Sequence, residues 1–347
     1  MKVFKTNSCA EQAHNIAVSL RDNTLDIVAG ILIIRMILGH YMVMCKLQDT
    51  LLFESLNILF FYMPWFFFKS GMFCSAERKE PKKFLGTNIK KFMLPFLVFS
   101  VIGTILAIIP AFVSDYSNTT ILSTIKGELT TFVRHGSTGW NSPLWFLISL
   151  CLVRVVFNYI RNFINHYVII GMLMAFAFFH YLYLADKGLW WGGNFSRGMI
   201  FYILGMKLKD LQYNKIVFVI SLIIVIAVGV IKPTIVTMFG NFLLFDDGIY
   251  LLWYPFCLAG IIVFNNLIKF TGKFLNHYHF DDMGSNSMIY YVIHYPLGFL
   301  LCSAYNHFAP NPNNWELFMY LCLMWLGMLP LITYIFNTKR LSFLIGK

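Results

Sequence analysis

Charge is what this sequence has least of. Of its 347 residues 12% are Asp, Glu, Lys or Arg and 58% are apolar, where a soluble domain is nearer a quarter charged and half apolar. That shortage excludes an ordinary soluble domain, and the apolar excess excludes a disordered chain, which needs the opposite balance. Cysteine is sparse and unpatterned: Cys9, Cys45, Cys74, Cys151, Cys257, Cys302 and Cys322 form no CxxC and no metal-ligand spacing, so most read as small hydrophobes within apolar runs. HExxH, GxSxG, the P-loop and the dinucleotide fingerprint are all missing, and no metal is expected. Period-two alternation is missing too, which excludes a membrane β-barrel. No internal repeat is evident, which weakens an inverted-repeat transporter.

What the sequence has is long apolar runs. A membrane-crossing helix needs about 20 mostly apolar residues. Ten such runs are legible: Leu25–Met44, Leu51–Ser70, Phe92–Val113, Leu144–Ile160, Val168–Leu184, Trp190–Leu208, Ile216–Ile231, Ile249–Ile268, Met288–Tyr305 and Leu317–Phe336. The expectation is an all-α, multi-pass protein of the cell (inner, cytoplasmic) membrane. Residues 1–24 form a cytoplasmic segment, 25–336 the transmembrane domain and 337–347 a cytoplasmic tail. The first 24 residues carry Glu11, Arg21 and Asp22 without a continuous apolar core, so no cleavable signal peptide is expected.

Lys and Arg set the orientation. With the N-terminus in the cytoplasm and ten crossings, 20 of the 27 fall in inside segments and six outside, Arg35 lying within a span; cytoplasmic loops carry that excess. The sixth run is the weakest, because Gly192, Gly193, Asn194 and Arg197 interrupt it. If it failed to cross, the bias of the second half would reverse. The net charge of +11 is therefore read as positive-inside bias, with no nucleic acid as partner. The stretch from Lys69 to Lys91 is the most basic, holding Arg78, Lys79, Lys82, Lys83 and Lys90 as well. It reads either as that bias with anionic lipid contact or as a mouth for an anionic donor. The longest outer loop, Ser114–Ser142, contains Asp115, Glu128, Arg134, His135, Trp140 and Asn141; a loop of that length is often functional.

Ionisable groups within apolar spans are costly and are functional candidates. In the first run these are Asp26, Arg35 and His40. At about 100° per residue Asp26 and Ala29 share the face of His40, whereas Arg35 points about 140° away. His40 is either a satisfied structural histidine or a general base, since an imidazole can take a hydroxyl proton at neutral pH. Arg35 is carried as a catalytic candidate, with a structural or electrostatic role as the alternative. His294, midway along the ninth run, reads as a helix–helix contact or a substrate ligand. His166, His180 and His277 read as interfacial. His277, His279, Asp281 and Asp282 read as a solvated turn.

Five segments in order resemble the acyltransferase-3 membrane-bound O-acyltransferases of bacteria. Leu25-Asp26 through Gly39-His40 is similar to that family's opening LD-x-x-R-G…GH. Met63-Pro64-Trp65-Phe66-Phe67-Phe68-Lys69-Ser70-Gly71-Met72-Phe73 is similar to its MPxFFxxSGF and is followed by a basic stretch ending in Pro95. Ser142-Pro143-Leu144-Trp145-Phe146-Leu147 resembles PLWFL, and Phe201-Tyr202-Ile203-Leu204-Gly205 resembles FFLLG. Gly284-Ser285-Asn286-Ser287 through His294 resembles GxxS…Y…H. The family carries Arg or Lys eleven residues before the histidine, where this chain has Ala29. Lys69 or another residue of the basic stretch is expected to fill the space; the alternative is an impaired member of the family.

The resemblance implies transfer of an acyl group, commonly acetyl, from cytoplasmic acyl-CoA to a sugar hydroxyl of a surface polysaccharide or its lipid-linked precursor. It implies donor contacts at Lys69, Ser70, Lys82 and Lys83. Catalysis falls to His40 with Arg35, and the sugar to Asn141, Trp145 and His294, with Trp140 beside them. Acetyl-CoA or another acyl-CoA, the glycan and membrane lipids are the expected partners. The exposed aromatic helices face lipid or a second copy in a homo-oligomer. The rivals are a transporter or flippase of lipid-linked sugar and a polysaccharide polymerase. A polymerase usually needs a larger, Arg-rich outer loop.

Overall fold

The computed structural model describes residues 23–75, 77, 79–113, 118–183, 190–231, 252–309 and 313–346. Lys2, Lys5, Arg21, Arg78, Asp115, Lys187, Lys232 and Lys347 lie outside them, as do the N-terminal segment up to residue 22, the end of the fifth run and the start of the eighth. The described residues are helical and contain no strand. In order the helices are α1 (Thr24–Met44), α2 (Leu51–Leu56), α3 (Tyr62–Met72), α4 (Pro81–Asn88), α5 (Leu94–Val113), α6 (Asn118–His135), α7 (Trp145–Ile160), α8 (His166–Tyr183), α9 (Trp190–Leu208), α10 (Lys215–Ile231), α11 (Trp253–Asn276), α12 (Phe280–Ser285), α13 (Ser287–Phe308) and α14 (Asn314–Asn337). Among the described residues seven segments are long and apolar enough to cross a membrane: α1, α2–α3, α4–α5, α7, α11, α13 and α14. The helices α8 and α10 are apolar but shorter.

Helix α1 is the axis of the bundle. Ile27, Val28, Leu32, Ile33, Met36, Ile37, Tyr41 and Met42 are all buried and occupy every side of it, the pattern of a helix enclosed by others. It packs against α3, α11, α12, α13 and α14.

The second apolar run is not one helix. It breaks between α2 and α3, across a 3-10 turn at Asn57–Leu59. Pro64 sits in the first turn of α3, where a missing N–H costs nothing, and so fixes where that helix begins. A break leaves backbone carbonyls without helical partners. Arg35 takes one of them: its Nε donates to Leu56 O at 3.1 Å, and Nη2 donates to Asn57 Oδ1 at 3.1 Å. Its guanidinium lies 4.1 Å above the Tyr62 ring. The third run starts earlier than hydropathy indicated, at Pro81, and carries a π turn over Ile89–Met93.

The interrupted sixth run is an unbroken helix of 19 residues. Its polar side chains are satisfied along the helix itself: Arg197 Nε donates to Gly193 O at 3.1 Å, and Ser196 Oγ donates to the same carbonyl at 3.0 Å. Helices α3 and α9 touch backbone to backbone. A Cβ on Gly71 would collide with Tyr202 O, and one on Gly205 with Phe68 O. Gly30 and Gly284 do the same for α1 and α12, against Phe280 O and Asp26 O.

Contacts gather several turns at one end of the bundle. Asn23 donates to Asp281, Lys69 meets Asp26, Arg161 meets Ser75, Gln212 meets Asn265, Asn337 meets Asn286, and Gly346 lies against Lys91. The described chain therefore starts and finishes at the same end, here called the basic end. His40 lies at the opposite end of α1.

Candidate functional site

At the basic end α1, α3, the π turn, α7 and α13 line a cavity of about 350 Å3. Each brings polar residues to the mouth or apolar ones to the depth. Helix α3 supplies Ser70 and Lys69, then Phe66 and Met63; α7 supplies Arg154, then Leu150 and Phe146; α13 supplies Ser287, then Met288 and Tyr291. The π turn adds Lys91. Arg154 is held in place, its Nε donating to Asn88 Oδ1 at 2.7 Å and Nη1 to Ser70 Oγ at 2.9 Å. Asn88 is itself buried. Three cations without a carboxylate in the wall suit a phosphate-bearing ligand.

Lys69 does double duty. Its Nζ is 3.1 Å from Asp26 Oδ1 and donates to Leu25 O at 3.1 Å. Asp26, Ala29 and Ile33 follow one another on one face of α1, and Ile33 lines the cavity with Lys69. A cation from α3 thus stands against the face on which Ala29, fully buried, offers none. Lys82 and Lys83 are exposed on α4 and do not line the cavity; Lys91 and Arg154 take that place.

At the other end of α1, His40 meets His294 of α13, Nδ1 to Nε2 at 2.8 Å, with the rings stacked. The proton positions follow from the neighbours. His294 Nδ1 faces two backbone carbonyls, Tyr291 O at 2.8 Å and Tyr290 O at 3.1 Å, so it carries hydrogen. In the neutral ring Nε2 then accepts, and the hydrogen between the rings belongs to His40 Nδ1. What remains is His40 Nε2 with a lone pair. Tyr41 Oη donates to His294 O at 3.3 Å and fixes the backbone there. His294 is wholly buried and His40 only partly so.

The long segment between α5 and α7 reaches this pair. Most of it is the helix α6; the remainder turns at Gly136, whose φ is +70°, and runs back across the bundle. Glu128 of α6 accepts from Gly139 N at 2.7 Å; burial raises its pKa and that hydrogen bond opposes the rise. The loop places Trp140 4.8 Å from Phe299, Phe299 lies 5.1 Å from Tyr295, and Tyr295 meets the His40 ring edge-on at 5.2 Å, between centroids. Asn141 is anchored by a vacancy in α13. Pro296 has no N–H, so Val292 O loses its helical partner; Asn141 Nδ2 donates to it at 3.1 Å. Trp145 is buried edge-on to Phe146.

Of the residues singled out in the sequence, His40, His294 and Asn141 are thus assembled at one end, and Lys69 and Ser70 at the other. Arg35 serves the α2–α3 break. Arg154, Tyr291 and Tyr295 are not among the candidates the sequence offers, and Lys91 enters there only as the end of the basic stretch. An Arg inside the apolar run of α7 was a signal for the first of them; the tyrosines carried no signal beyond their nearness to His294. Among the described residues no three His, Cys, Asp or Glu side chains gather closely enough to hold a metal.

No curated protein and no solved structure matches the chain. The model of one family, described as an acyltransferase domain, does match, over residues 22–335. That span takes in both ends of α1 and every element that builds the cavity and the histidine pair. The chain belongs to the acyltransferase-3 family.

Proposed function

We propose that this membrane acyltransferase moves an acyl group, acetyl in the first instance, from cytoplasmic acyl-CoA to a sugar hydroxyl of a cell-surface polysaccharide or its lipid-linked precursor. The basic end faces the cytoplasm, ten helices cross the cell membrane, and both termini are cytoplasmic. The observation that carries the reading is His40: a half-buried imidazole whose inner nitrogen is committed to His294 and whose Nε2 keeps its lone pair. The cavity of the basic end fits the donor, with Lys69, Lys91 and Arg154 facing its phosphates and Ser70 beside them.

In the reaction His40 Nε2 removes the proton of the sugar hydroxyl as its oxygen attacks the thioester carbonyl. The new C–O bond forms, the C–S bond breaks, and the proton passes from His40 to the departing thiolate. Tyr295, Phe299 and Trp140 offer aromatic faces to the sugar, and Asn141 holds the loop that presents Trp140. Lys69 supplies the charge that the family places where this chain has Ala29.

The test is His40→Ala, read as the acetyl content of the surface glycan in a strain carrying the gene. Loss of general-base catalysis lowers transfer by about 10²–10⁴-fold; unchanged acetylation removes His40 from the mechanism. Purified protein provides a second arm, since a flippase or polymerase would leave acetyl-CoA intact.

A further inference from the structure

Neither His40 nor His294 is among the residues that line the cavity of the basic end, whereas Tyr291 and Phe146 are. Tyr291 lies three residues before His294 on α13, and the two rings are 6.3 Å apart between centroids. Its hydroxyl donates to Pro143 O, the phenol lies edge-on to Phe146 at 5.6 Å, and the side chain is almost wholly buried. One aromatic ring, latched to the segment that starts α7, therefore stands between the proposed donor passage and the base.

We propose that Tyr291 is a gate that keeps the thioester from His40 until the acceptor is in place. The inference rests on the acyl-transfer reading above and extends it. The latch is made by Pro143, two residues from Asn141 and three from Trp140, in the same short loop that the sugar would touch. The sugar thus reaches the latch through the residues that hold it. Release of the Oη–Pro143 bond lets the ring swing aside, and the passage then opens onto His40 Nε2. A shut gate protects the thioester from water. The competing reaction is hydrolysis, in which water adds its oxygen to the acyl carbon, the C–S bond breaks, and the water proton moves by way of His40 to the thiolate.

The experiment measures acetyl-CoA hydrolysis by purified protein without any glycan acceptor. Tyr291→Ala removes the ring and is expected to raise this hydrolysis at least about tenfold over the unaltered protein. Tyr291→Phe keeps the ring, loses only the latch, and is expected to give a smaller rise. Adding His40→Ala to either variant returns hydrolysis to background. A gain of this kind cannot come from misfolding, and if the alanine variant does not fold the phenylalanine variant decides alone. Tyr291 variants that fold, transfer acetyl to glycan and hydrolyse no faster than the unaltered protein overturn the gate and leave the acyltransferase reading standing. Absence of both transfer and hydrolysis in every form overturns both.

Discussion

At the scale of single residues, the proposed chemistry turns on one shared hydrogen. In that proposal His294 acts through His40, by deciding which nitrogen of that ring is bare. Replacing His294 with Ala leaves the His40 ring free to put its hydrogen on either nitrogen and to rotate. The expected outcome is a loss of at least about tenfold in kcat at little change in KM for acyl-CoA. His294→Gln supplies an amide oxygen to the same nitrogen and should recover part of the loss, with the pH profile of kcat displaced. Equal losses in both variants and an unmoved profile would make His294 a packing residue only. Arg35 shows the opposite case. An arginine within an apolar span suggested chemistry, and its hydrogen bonds account for it through the broken helix beside it.

At the scale of elements, Pro296 and Asn141 form a unit. The proline removes a donor from α13 and the asparagine of a distant loop replaces it. Asn141→Ala leaves Val292 O buried without that partner, at a cost of about 1–3 kcal/mol. In the background of Pro296→Ala the helix can supply its own N–H, and the same substitution should cost clearly less. A double-mutant cycle on thermal unfolding in detergent reads the difference; strict additivity would dissolve the link. The same scale shows what the sequence could tell. Within the described residues each of the ten apolar runs is helical, the second in two pieces, because hydropathy over 20 residues is a property of composition and needs no partner. The break before α3 was not legible, since its carbonyl is met by a side chain from another helix, Arg35, and the π turn before α5 had no local mark in the sequence. Helix α6 was hidden for another reason: its apolar positions are spaced among Thr, Lys and Glu, and the stretch read as a loop. The pairing of His40 with His294 spans 254 positions, beyond the reach of any local pattern.

At the scale of the whole molecule, the arrangement is polarised along α1, with cations at one end and imidazoles at the other. The counting of Lys and Arg assigned the segments around Lys79, Lys209 and Lys339 to one side and the loop at Trp140 to the other. Reporter fusions at the first three positions should all read as cytoplasmic and a reporter after Trp140 as external. A split among the first three would reduce the number of crossings and move the cavity away from acyl-CoA. The buried nitrogen of His294 has a last consequence, for the energetics of the cell. Because it is pledged to two peptide carbonyls, His294 offers no free acceptor nitrogen on its far side, and a proton arriving at His40 is expected to leave by the nitrogen it entered. A protein that strings imidazoles through an energised bilayer could short-circuit the proton-motive force; this one ends the wire at its second ring.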